Sequence, residues 1–404
     1  MARSSASSSA RPGRAAVSAV TRVYLDYAGF SPVDPRVIAL MRPFLEGGVG
    51  NPSAPHSLGL EARASLDGAR GKVARLFGGV PAGVVFTASA TEANNLAIRG
   101  VTQRAGGRHV VTTAVEHISV LNACRHLEKR GFSVSYVPVD GEGRVDPEAV
   151  RGAVRADTAL VSMMAANAEI GTLQPLREVG RVARERGVPF HVDAVGAAGR
   201  VPLSVDECAI DLLTLSSNDL YGPPGAGALW VRGDLRLGPI IFGGGQEGGY
   251  RAGTENLPAI VGMGVAADLA RSEGAAEVTR LATLRDRLLD GLLDGVPRAR
   301  RTGPSRDTRL PHHASVVIPG VKADAVLLEL DLRGVAASTG SACSMVSGEP
   351  SHVLRAIGCS PEEAEGSLCF TLGRWTTAAE IDVVLEAVPA VVERLRRLAP
   401  RPTV

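Results

Sequence analysis

Residues 159–192, ALVSMMAANAEIGTLQPLREVGRVARERGVPFHV, place an amphipathic stretch between two short apolar runs. The runs at 159–162 and 189–192 are typical of strands that are buried on both faces of a parallel sheet. Between them, residues 176–186 carry apolar side chains at helical spacing, which predicts an amphipathic helix. A strand, a helix and a second strand in this order indicate a βαβ unit, and hence a parallel sheet.

The same alternation extends toward the N-terminus. Three earlier apolar runs have the character of buried strands: Val84-Val85-Phe86, His109-Val110-Val111 and Val134-Ser135-Tyr136-Val137. The chain is therefore predicted to be an α/β protein with an open, mostly parallel central sheet flanked by helices. Sheets of this kind bind ligands beyond the carboxyl ends of their strands.

The rhythm changes near residue 265, which predicts a second domain. Long helical patterns at 277–293 and 378–398 surround few strands, one of them within residues 310–318, so this domain is expected to be a smaller α+β one. The N-terminal segment is rich in Ser, Ala and Arg and is expected to be a disordered tail, with an organelle transit peptide as the alternative. The predicted division is a tail at 1–22, a large domain at 36–265, and a small domain at 266–404 together with 23–35.

Composition and charge exclude several classes of function. The chain has 404 residues, of which 45% are apolar and 21% charged, as in ordinary globular enzymes. Its formal net charge of +2 is too small for nucleic-acid binding by bulk electrostatics, and no apolar run reaches the roughly 18 residues that indicate a membrane span. The five cysteines are widely spaced without a CxxC pair, which argues against disulfides or structural zinc and favours a reducing cytoplasm.

A series of short motifs runs through both predicted domains. They are YLDYA (24–28), NPSAPHS (51–57), FTASATEANN (86–95), NAEIGT (167–172), HVDA (191–194), LTLSSNDLYGP (213–223), RAGT (251–254), STGSACS (338–344) and TLGRW (371–375). In order and spacing they resemble the motifs of the cysteine desulfurases, which are fold-type I pyridoxal phosphate (PLP) proteins of the class V aminotransferase group. The resemblance extends over residues 24–398. It implies a homodimer that takes sulfur from L-cysteine or another donor and passes it to an iron–sulfur scaffold or other sulfur-acceptor protein.

The resemblance places one group of residues at the phosphate of PLP. Ala90 and Thr91 would lie where a helix N-terminus offers free backbone N–H groups to an anion. Ser216 matches the phosphate-binding serine of the family, and Asn218, which stands where the family has histidine, can still donate a hydrogen bond. Thr254 matches the threonine that reaches the phosphate of the neighbouring subunit, which is why a homodimer is implied.

A second group is placed around the cofactor ring and the substrate. His117 matches the histidine that stacks on the pyridine ring and moves protons, and Asp193 matches the aspartate that keeps the pyridine nitrogen protonated. Asn167 keeps an asparagine that lies near cofactor and substrate, whereas Gly196 replaces a glutamine that contacts the phenolic oxygen. Arg374 matches the arginine that binds the substrate carboxylate, a task that suits a bidentate guanidinium.

Cys343 is the predicted sulfur carrier. Its segment is rich in Gly and Ser and poor in apolar anchors, like the mobile cysteine loop of the family. The resemblance implies that its thiolate attacks the sulfur of the cofactor-bound cysteine and becomes a persulfide. The other cysteines are expected to be inert core residues: Cys124, Cys208, Cys359 and Cys369.

Asp219 departs from the family pattern at the position with the greatest chemical consequence. The family motif Ser-x-His-Lys-x-Tyr-Gly-Pro has a lysine that forms a Schiff base with PLP, and Asp219 stands in its place. A carboxylate cannot form that bond. The lysines of the chain, Lys72, Lys129 and Lys322, lie in other segments. PLP is therefore expected to bind without a covalent bond, and ordinary desulfuration is expected to be weak or absent.

Three hypotheses are consistent with these residues. In the first, a divergent enzyme binds PLP non-covalently, accepts a preformed cysteine adduct of PLP, and moves the proton with Asp219 or His117. In the second, the chain is a PLP-poor sulfur-relay or iron–sulfur assembly scaffold, in which Cys343 carries persulfide sulfur or ligates an iron–sulfur cluster. In the third, it is a regulatory pseudoenzyme. Because Asp193 and Arg374 have little use in a pure scaffold, the first hypothesis is favoured.

Overall fold

The computed structural model describes residues 22–47, 50–340 and 351–398. The predicted tail, apart from Arg22, and Cys343 lie outside these residues. The strands are β1 Val23–Tyr24, β2 Val84–Thr87, β3 His109–Thr113, β4 Ser133–Val137, β5 Thr158–Met164, β6 Phe190–Asp193, β7 Leu212–Ser216, β8 Gly227–Val231, β9 Arg300–Arg301, β10 His313–Val317, β11 Val335–Ala336 and β12 Ser367–Thr371. The helices are α1 Pro35–Leu45, α2 Ser57–Arg75, α3 Ala90–Thr102, α4 Ile118–Glu128, α5 Pro147–Ala153, α6 Leu176–Glu185, α7 Leu257–Gly295, α8 Ala323–Leu332, α9 His352–Ala356, α10 Pro361–Glu365 and α11 Ala378–Leu398.

The larger sheet has seven strands in the order β2-β8-β7-β6-β5-β3-β4. Strands β3 to β7 pair in parallel, whereas β8 is antiparallel to its neighbours β2 and β7. This confirms the predicted α/β class with a mostly parallel sheet. Consecutive side chains of a strand point to opposite faces, so Val110 packs in one core and Val111 in the other.

Helices cover both faces of this sheet. On one face, α3 and α4 contribute apolar side chains such as Leu96 and Val120 to the core. On the other face, α2, α6 and the first half of α7 contribute Leu66, Val179 and Ile260. The apolar stripes of these helices account for the buried character of both strand faces.

Strand β4 differs from the expected buried strand. It lies at the end of the sheet and pairs with β3, and of its five residues only Val137 is buried. An edge strand leaves one backbone side without a neighbour and part of its surface open to solvent. The position of a strand in the sheet is set by contacts distant in sequence. The local run of Val, Ser and Tyr therefore cannot distinguish an edge strand from a central one.

The second core lies around two small sheets, β12-β10-β9 and β1-β11. Its apolar residues come from strands β1, β10, β11 and β12 and from the second half of α7, α8 and α11. Helix α7 crosses the predicted domain boundary without a break. Val265 and Ala266 pack in the first core, whereas Leu281 and Leu288 pack in the second. The predicted helix at 277–293 is thus the second half of a 39-residue helix, and the division into two domains stays a prediction.

The carboxyl ends of β2, β3, β5, β6 and β7 lie at one edge of the sheet, because these strands run in the same direction. The predicted cofactor residues on these strands, or in the loops and turns that follow them, are therefore brought to the same edge. Among the described residues, no helix is both long and apolar enough to cross a bilayer.

Candidate cofactor and sulfur-transfer site

Within the described part of the chain, the N-terminus of α3 leaves backbone N–H groups free at the edge of the sheet. Ser89 is the N-cap, and its hydroxyl accepts a hydrogen bond of 3.2 Å from the Glu92 N–H. The backbone N–H groups of Ala90 and Thr91 have no acceptor among the described residues. Strand β8 passes directly behind this turn, since a Cβ at Gly227 would lie 2.5 Å from the Ser89 carbonyl carbon. Two free N–H groups at a helix N-terminus favour an anion such as a phosphate.

Glu92 links this turn to the loop that carries Thr254. Its carboxylate accepts hydrogen bonds from the Ala88 N–H at 2.8 Å and from the Arg251 guanidinium at 3.0 Å. Thr254 follows three residues later and is exposed. An exposed position suits the predicted contact with a neighbouring subunit, which stays a prediction.

Asp193 lies at the end of β6 and is buried. Its carboxylate accepts hydrogen bonds from the Asn94 side-chain amide at 2.7 Å and from the Val195 N–H at 3.1 Å. Asn94 lies one turn beyond Ala90 on α3, so one short helix holds both the free N–H groups and the partner of Asp193.

His117 is the N-cap of α4 and is exposed. Its Nδ1 atom lies 2.7 Å from the Ser119 hydroxyl and 3.2 Å from the Ser119 N–H. The preceding residue, Glu116, is buried and accepts hydrogen bonds from the Thr113 hydroxyl at 2.7 Å and the Met164 N–H at 3.0 Å. Burial raises the pKa of Glu116 to about 8, and the negative charge of Asp193 adds to this shift.

Asn167 is buried after β5, with its side chain fully engaged. Its amide donates to the Val115 carbonyl at 2.9 Å and to the Met164 sulfur at 3.4 Å, and its oxygen accepts from the Glu169 and Ile170 N–H groups. An asparagine side chain offers two donor and two acceptor positions, so the observed role of Asn167 is to hold this turn. Its predicted contact with cofactor and substrate stays a prediction, and it would require one of these bonds to be replaced.

Asp219 lies in a short 3-10 turn after β7, beside Ser216 and Asn218, and is half-buried. Burial raises the pKa of its carboxyl to about 6. A hydrogen bond with Ser216 and the positive charge of Arg200 oppose this increase, whereas the charge of Asp193 adds to it. The Asn218 side-chain oxygen is buried without a hydrogen-bond partner. The Asp219 carboxylate is therefore close to Asp193, and it competes with a phosphate for the Ser216 hydroxyl, which was predicted to bind phosphate.

The family model for class-V aminotransferases matches residues 23–384. The chain belongs to the class-V aminotransferase family. It is 46% identical over 379 residues to "Cysteine desulfurase IscS 1" of Archaeoglobus fulgidus, covering 93% of this chain and 98% of that protein. It is 44% identical over 380 residues to "Cysteine desulfurase IscS" of Dictyoglomus turgidum, covering 94% and 96%.

Solved structures share the fold of this class-V aminotransferase family member. One, titled "NIFS-LIKE PROTEIN", has a TM-score of 0.87 at 34% identity and covers 93% of this chain and 100% of that chain. Another, titled "SspA in complex with cysteine", has a TM-score of 0.78 at 36% identity and covers 88% and 100%. These matches confirm the predicted fold-type I architecture.

Membership of the class-V aminotransferase family implies PLP as the cofactor. The described residues fit two parts of PLP, its phosphate and its pyridine nitrogen. The free N–H groups of Ala90 and Thr91 suit its phosphate. The buried Asp193 carboxylate suits a protonated pyridine nitrogen. Asp219 does not fit a covalent attachment, because a carboxylate has no amine. The residues therefore fit a PLP molecule that is held non-covalently.

Arg374 is held by acidic side chains in this member of the class-V family. Its guanidinium donates to Asp34 at 2.6 Å and to Glu277 at 2.8 Å, and it lies 4.6 Å from the centroid of the Tyr221 ring. The Arg374 N–H also donates to the Tyr221 hydroxyl at 2.9 Å. Its side chain is only 12% exposed. A substrate carboxylate would have to compete with these acids, so the predicted substrate contact of Arg374 stays a prediction.

The described cysteines behave as expected of core residues. All four are buried, with no disulfide among them, and burial raises the pKa of each thiol: Cys124, Cys208, Cys359 and Cys369. A raised pKa reduces the thiolate fraction and hence the reactivity. Within residues 22–47, 50–340 and 351–398, no three His, Cys, Asp or Glu side chains form a metal-binding group. The proposed iron–sulfur ligand, Cys343, lies outside these residues.

Sequence reasoning missed several residues that organise this site. Asn94 and Glu92 were within a quoted motif but received no role. Glu116 and Ser119, which lie on either side of His117, received none either. Their spacing offers a usable signal. Asn94 is four residues after Ala90, and positions four apart lie on one helical face.

Replacement of Glu116 by glutamine should change how stability depends on pH. The folded-state pKa of about 8 exceeds the ordinary value of 4.5. The stabilising contribution of the protonated carboxyl is thus complete below pH 4.5 and is lost as the pH rises through about 8. In urea unfolding, the native chain should lose stability relative to Glu116→Gln over this window. The exposed Glu148→Gln variant is the control. Parallel pH profiles for all three proteins would contradict the prediction.

Proposed function

We propose that this chain is a cysteine desulfurase-like sulfur-transfer protein of iron–sulfur cluster or thio-cofactor assembly, which holds PLP non-covalently and carries a persulfide on Cys343. It would act as a cytoplasmic homodimer with L-cysteine as donor and a scaffold or other protein as sulfur acceptor. The names of the similar IscS proteins support the sulfur-transfer role. The observation that carries the proposal is that α3 presents free N–H groups at Ala90 and Thr91 and, one turn later, binds Asp193 through Asn94.

When bound, PLP supplies an electron sink. The residues of the chain would hold and orient it. The proposed cofactor contacts are Ala90, Thr91, His117, Asn167, Asp193, Ser216, Asn218 and, toward the other subunit, Thr254; the proposed substrate contacts are Asn167 and Arg374. Asp219 is proposed to take up a proton in place of the usual lysine. A carboxyl with a pKa of about 6 is suited to exchanging protons near neutrality.

The proposed reaction balances without a further reductant or oxidant. The carbon–sulfur bond of L-cysteine breaks, and its sulfur forms a sulfur–sulfur bond to Cys343. The products are a persulfide on Cys343 and alanine. Together they contain all atoms and electrons of the reactants, which are L-cysteine and the Cys343 thiol. The acceptor protein then receives the terminal sulfur by attack of its own thiolate.

One observation favours a second candidate function. The ionised Asp219 carboxylate would repel the phosphate of PLP, since its pKa of about 6 leaves it mostly charged at neutral pH. A sulfur relay, an iron–sulfur scaffold with Cys343 as a ligand, or a regulatory pseudoenzyme would tolerate this repulsion, because none needs cofactor turnover.

The test is to incubate the full-length protein with PLP and L-cysteine and to locate added sulfur by mass spectrometry. We expect one sulfur atom on Cys343, its loss in Cys343→Ser, and its retention in the matched variant Cys359→Ser. PLP should be released on denaturation even after borohydride treatment, since no covalent bond to the chain is expected. If only inorganic polysulfide, and not L-cysteine, delivers sulfur to Cys343, the relay function replaces the desulfurase-like one.

A further inference from the structure

A continuous hydrogen-bond chain joins Asp193 to His117. The Asn94 amide nitrogen lies 2.7 Å from the Asp193 carboxylate and 2.9 Å from the Ser119 hydroxyl. The Ser119 hydroxyl in turn lies 2.7 Å from Nδ1 of His117. Asn94, Asp193 and Ser119 are buried. The two side chains predicted at the cofactor ring are therefore connected through two residues that have no assigned role.

The charge of Asp193 fixes the direction of donation along this chain. A carboxylate only accepts hydrogen bonds, so Asn94 must turn its NH₂ group toward it. The second hydrogen of that NH₂ group points to Ser119, whose oxygen therefore accepts. The Ser119 hydroxyl hydrogen is then free to bond Nδ1 of His117. The Asn94 oxygen is left buried without a partner, which fits an amide oriented by its NH₂ group.

A second donor reaches the same ring nitrogen. The backbone N–H of Ser119 lies 3.2 Å from Nδ1 of His117, in an N-cap arrangement. A backbone N–H cannot accept, so Nδ1 must carry a lone pair rather than a proton. In a neutral imidazole the proton then resides on the other nitrogen, Nε2, which has no hydrogen-bond partner among the described residues.

We propose that Asn94 and Ser119 are positioning residues that hold neutral His117 in the tautomer with its proton on Nε2. His117 then presents a hydrogen-bond donor to the site through Nε2 and cannot accept a proton there. Of the two side chains considered for proton uptake, Asp219 is left as the acceptor. This assignment of roles rests on the proposed function, whereas the tautomer itself does not.

The tautomer is measurable by nitrogen NMR of the full-length protein labelled with ¹⁵N-histidine, without PLP or cysteine. The chain has eight histidines, so the His117 signals are identified by their loss in His117→Gln. Above about pH 8, where imidazole is ordinarily neutral, we expect the pattern of a proton on Nε2. Since PLP and sulfur chemistry are not needed, failure of sulfur transfer to Cys343 would leave this readout intact.

Variants of the connecting residues separate positioning from simple packing. Asn94→Leu removes the NH₂ group that donates to Ser119 without placing a second carboxylate beside Asp193, so the hydroxyl can turn away from His117 and the tautomer ratio should shift about fivefold toward Nδ1–H. Ser119→Ala should shift it in the same direction, and Ser119→Thr, which keeps a hydroxyl, should restore the native ratio. A native His117 with its proton on Nδ1, or a ratio unchanged in folded Ser119→Ala, would overturn the proposal.

Discussion

Replacement of Asp219 by lysine (Asp219→Lys) should yield a protein that binds PLP covalently and releases sulfur from L-cysteine at least about 10²-fold faster than the native chain. The amine can form the bond to the cofactor aldehyde that a carboxylate cannot form, and it also supplies a base beside the substrate. The measurements are the absorbance of the bound cofactor, mass spectrometry after borohydride reduction, and sulfide release in the presence of a thiol reductant.

The surroundings of residue 219 favour this gain. The Arg200 guanidinium donates to the Asp219 carbonyl at 3.3 Å and is buried, so an amine at this position would lie near a fixed positive charge. A like charge lowers the pKa of a lysine and increases the fraction of neutral, nucleophilic amine. The phosphate would also lose its repulsion from the Asp219 carboxylate. Both effects favour binding of PLP and formation of the covalent bond in Asp219→Lys.

Two controls separate the amine from the change in charge. Asp219→Asn removes the negative charge without adding an amine, so it should strengthen non-covalent PLP binding and give no borohydride-stable adduct. Asp206→Lys adds a lysine at an exposed aspartate whose side chain is 75% accessible, and it should change neither property. A covalent adduct in the native chain, or the absence of one in folded Asp219→Lys, would show that Asp219 does not occupy the position of the cofactor lysine.

The sequence was sufficient for features that depend on local pattern. The apolar runs at 84–86, 109–111, 159–162 and 189–192 coincide with β2, β3, β5 and β6, because burial on both faces leaves a continuous apolar signature. The pattern at 378–398 coincides with α11. The change of rhythm near residue 265 does not coincide with the end of an element, since α7 continues through it and changes only the core on which it packs.

The partners of the site residues could not be predicted in the same way. Asn94 and Asp193 are 99 positions apart, and Asp34 and Arg374 are 340 positions apart. The sequence indicated that the Arg374 guanidinium suits a carboxylate partner, but that Asp34 and Glu277 are such partners depends on the folded arrangement. The order of the motifs was enough to predict that polar residues gather at one edge of the sheet. Which residue donates a hydrogen bond to which could be determined only from the positions of their atoms.

The ion pairs of Asp34 should be the most costly to remove among the described contacts of Arg374. Asp34 is 3% exposed, binds the Arg374 and Arg36 guanidinium groups at 2.6 Å and 2.8 Å, and caps α1 by accepting from the Arg36 N–H at 2.9 Å. Removing one partner of a buried pair costs about 3–5 kcal/mol, and the loss of an N-cap adds about 1 kcal/mol. Glu277 still pairs with Arg374, and the Arg36 side chain is 50% exposed, so the loss of the ion pairs should cost only about 2 kcal/mol. With the lost N-cap, Asp34→Ala should cost about 3 kcal/mol in urea unfolding at neutral pH.

The pH dependence gives a second test of the same variant. Hydrogen bonds from Arg36, its side chain foremost, and from Arg374 hold the pKa of Asp34 well below its ordinary value of 3.8. A lowered pKa stabilises the fold above pH 3.8, and this contribution is lost as the pH falls toward the folded-state pKa. The difference in unfolding free energy between the native chain and Asp34→Ala should therefore shrink in acid.

The matched control is Asp67→Ala, which removes an aspartate that is 62% exposed and lies 3.7 Å from Arg70. This variant should change stability by no more than about 0.5 kcal/mol. An equal, pH-independent loss in both variants would mean that burial of the Asp34 pairs contributes nothing beyond an ordinary surface charge.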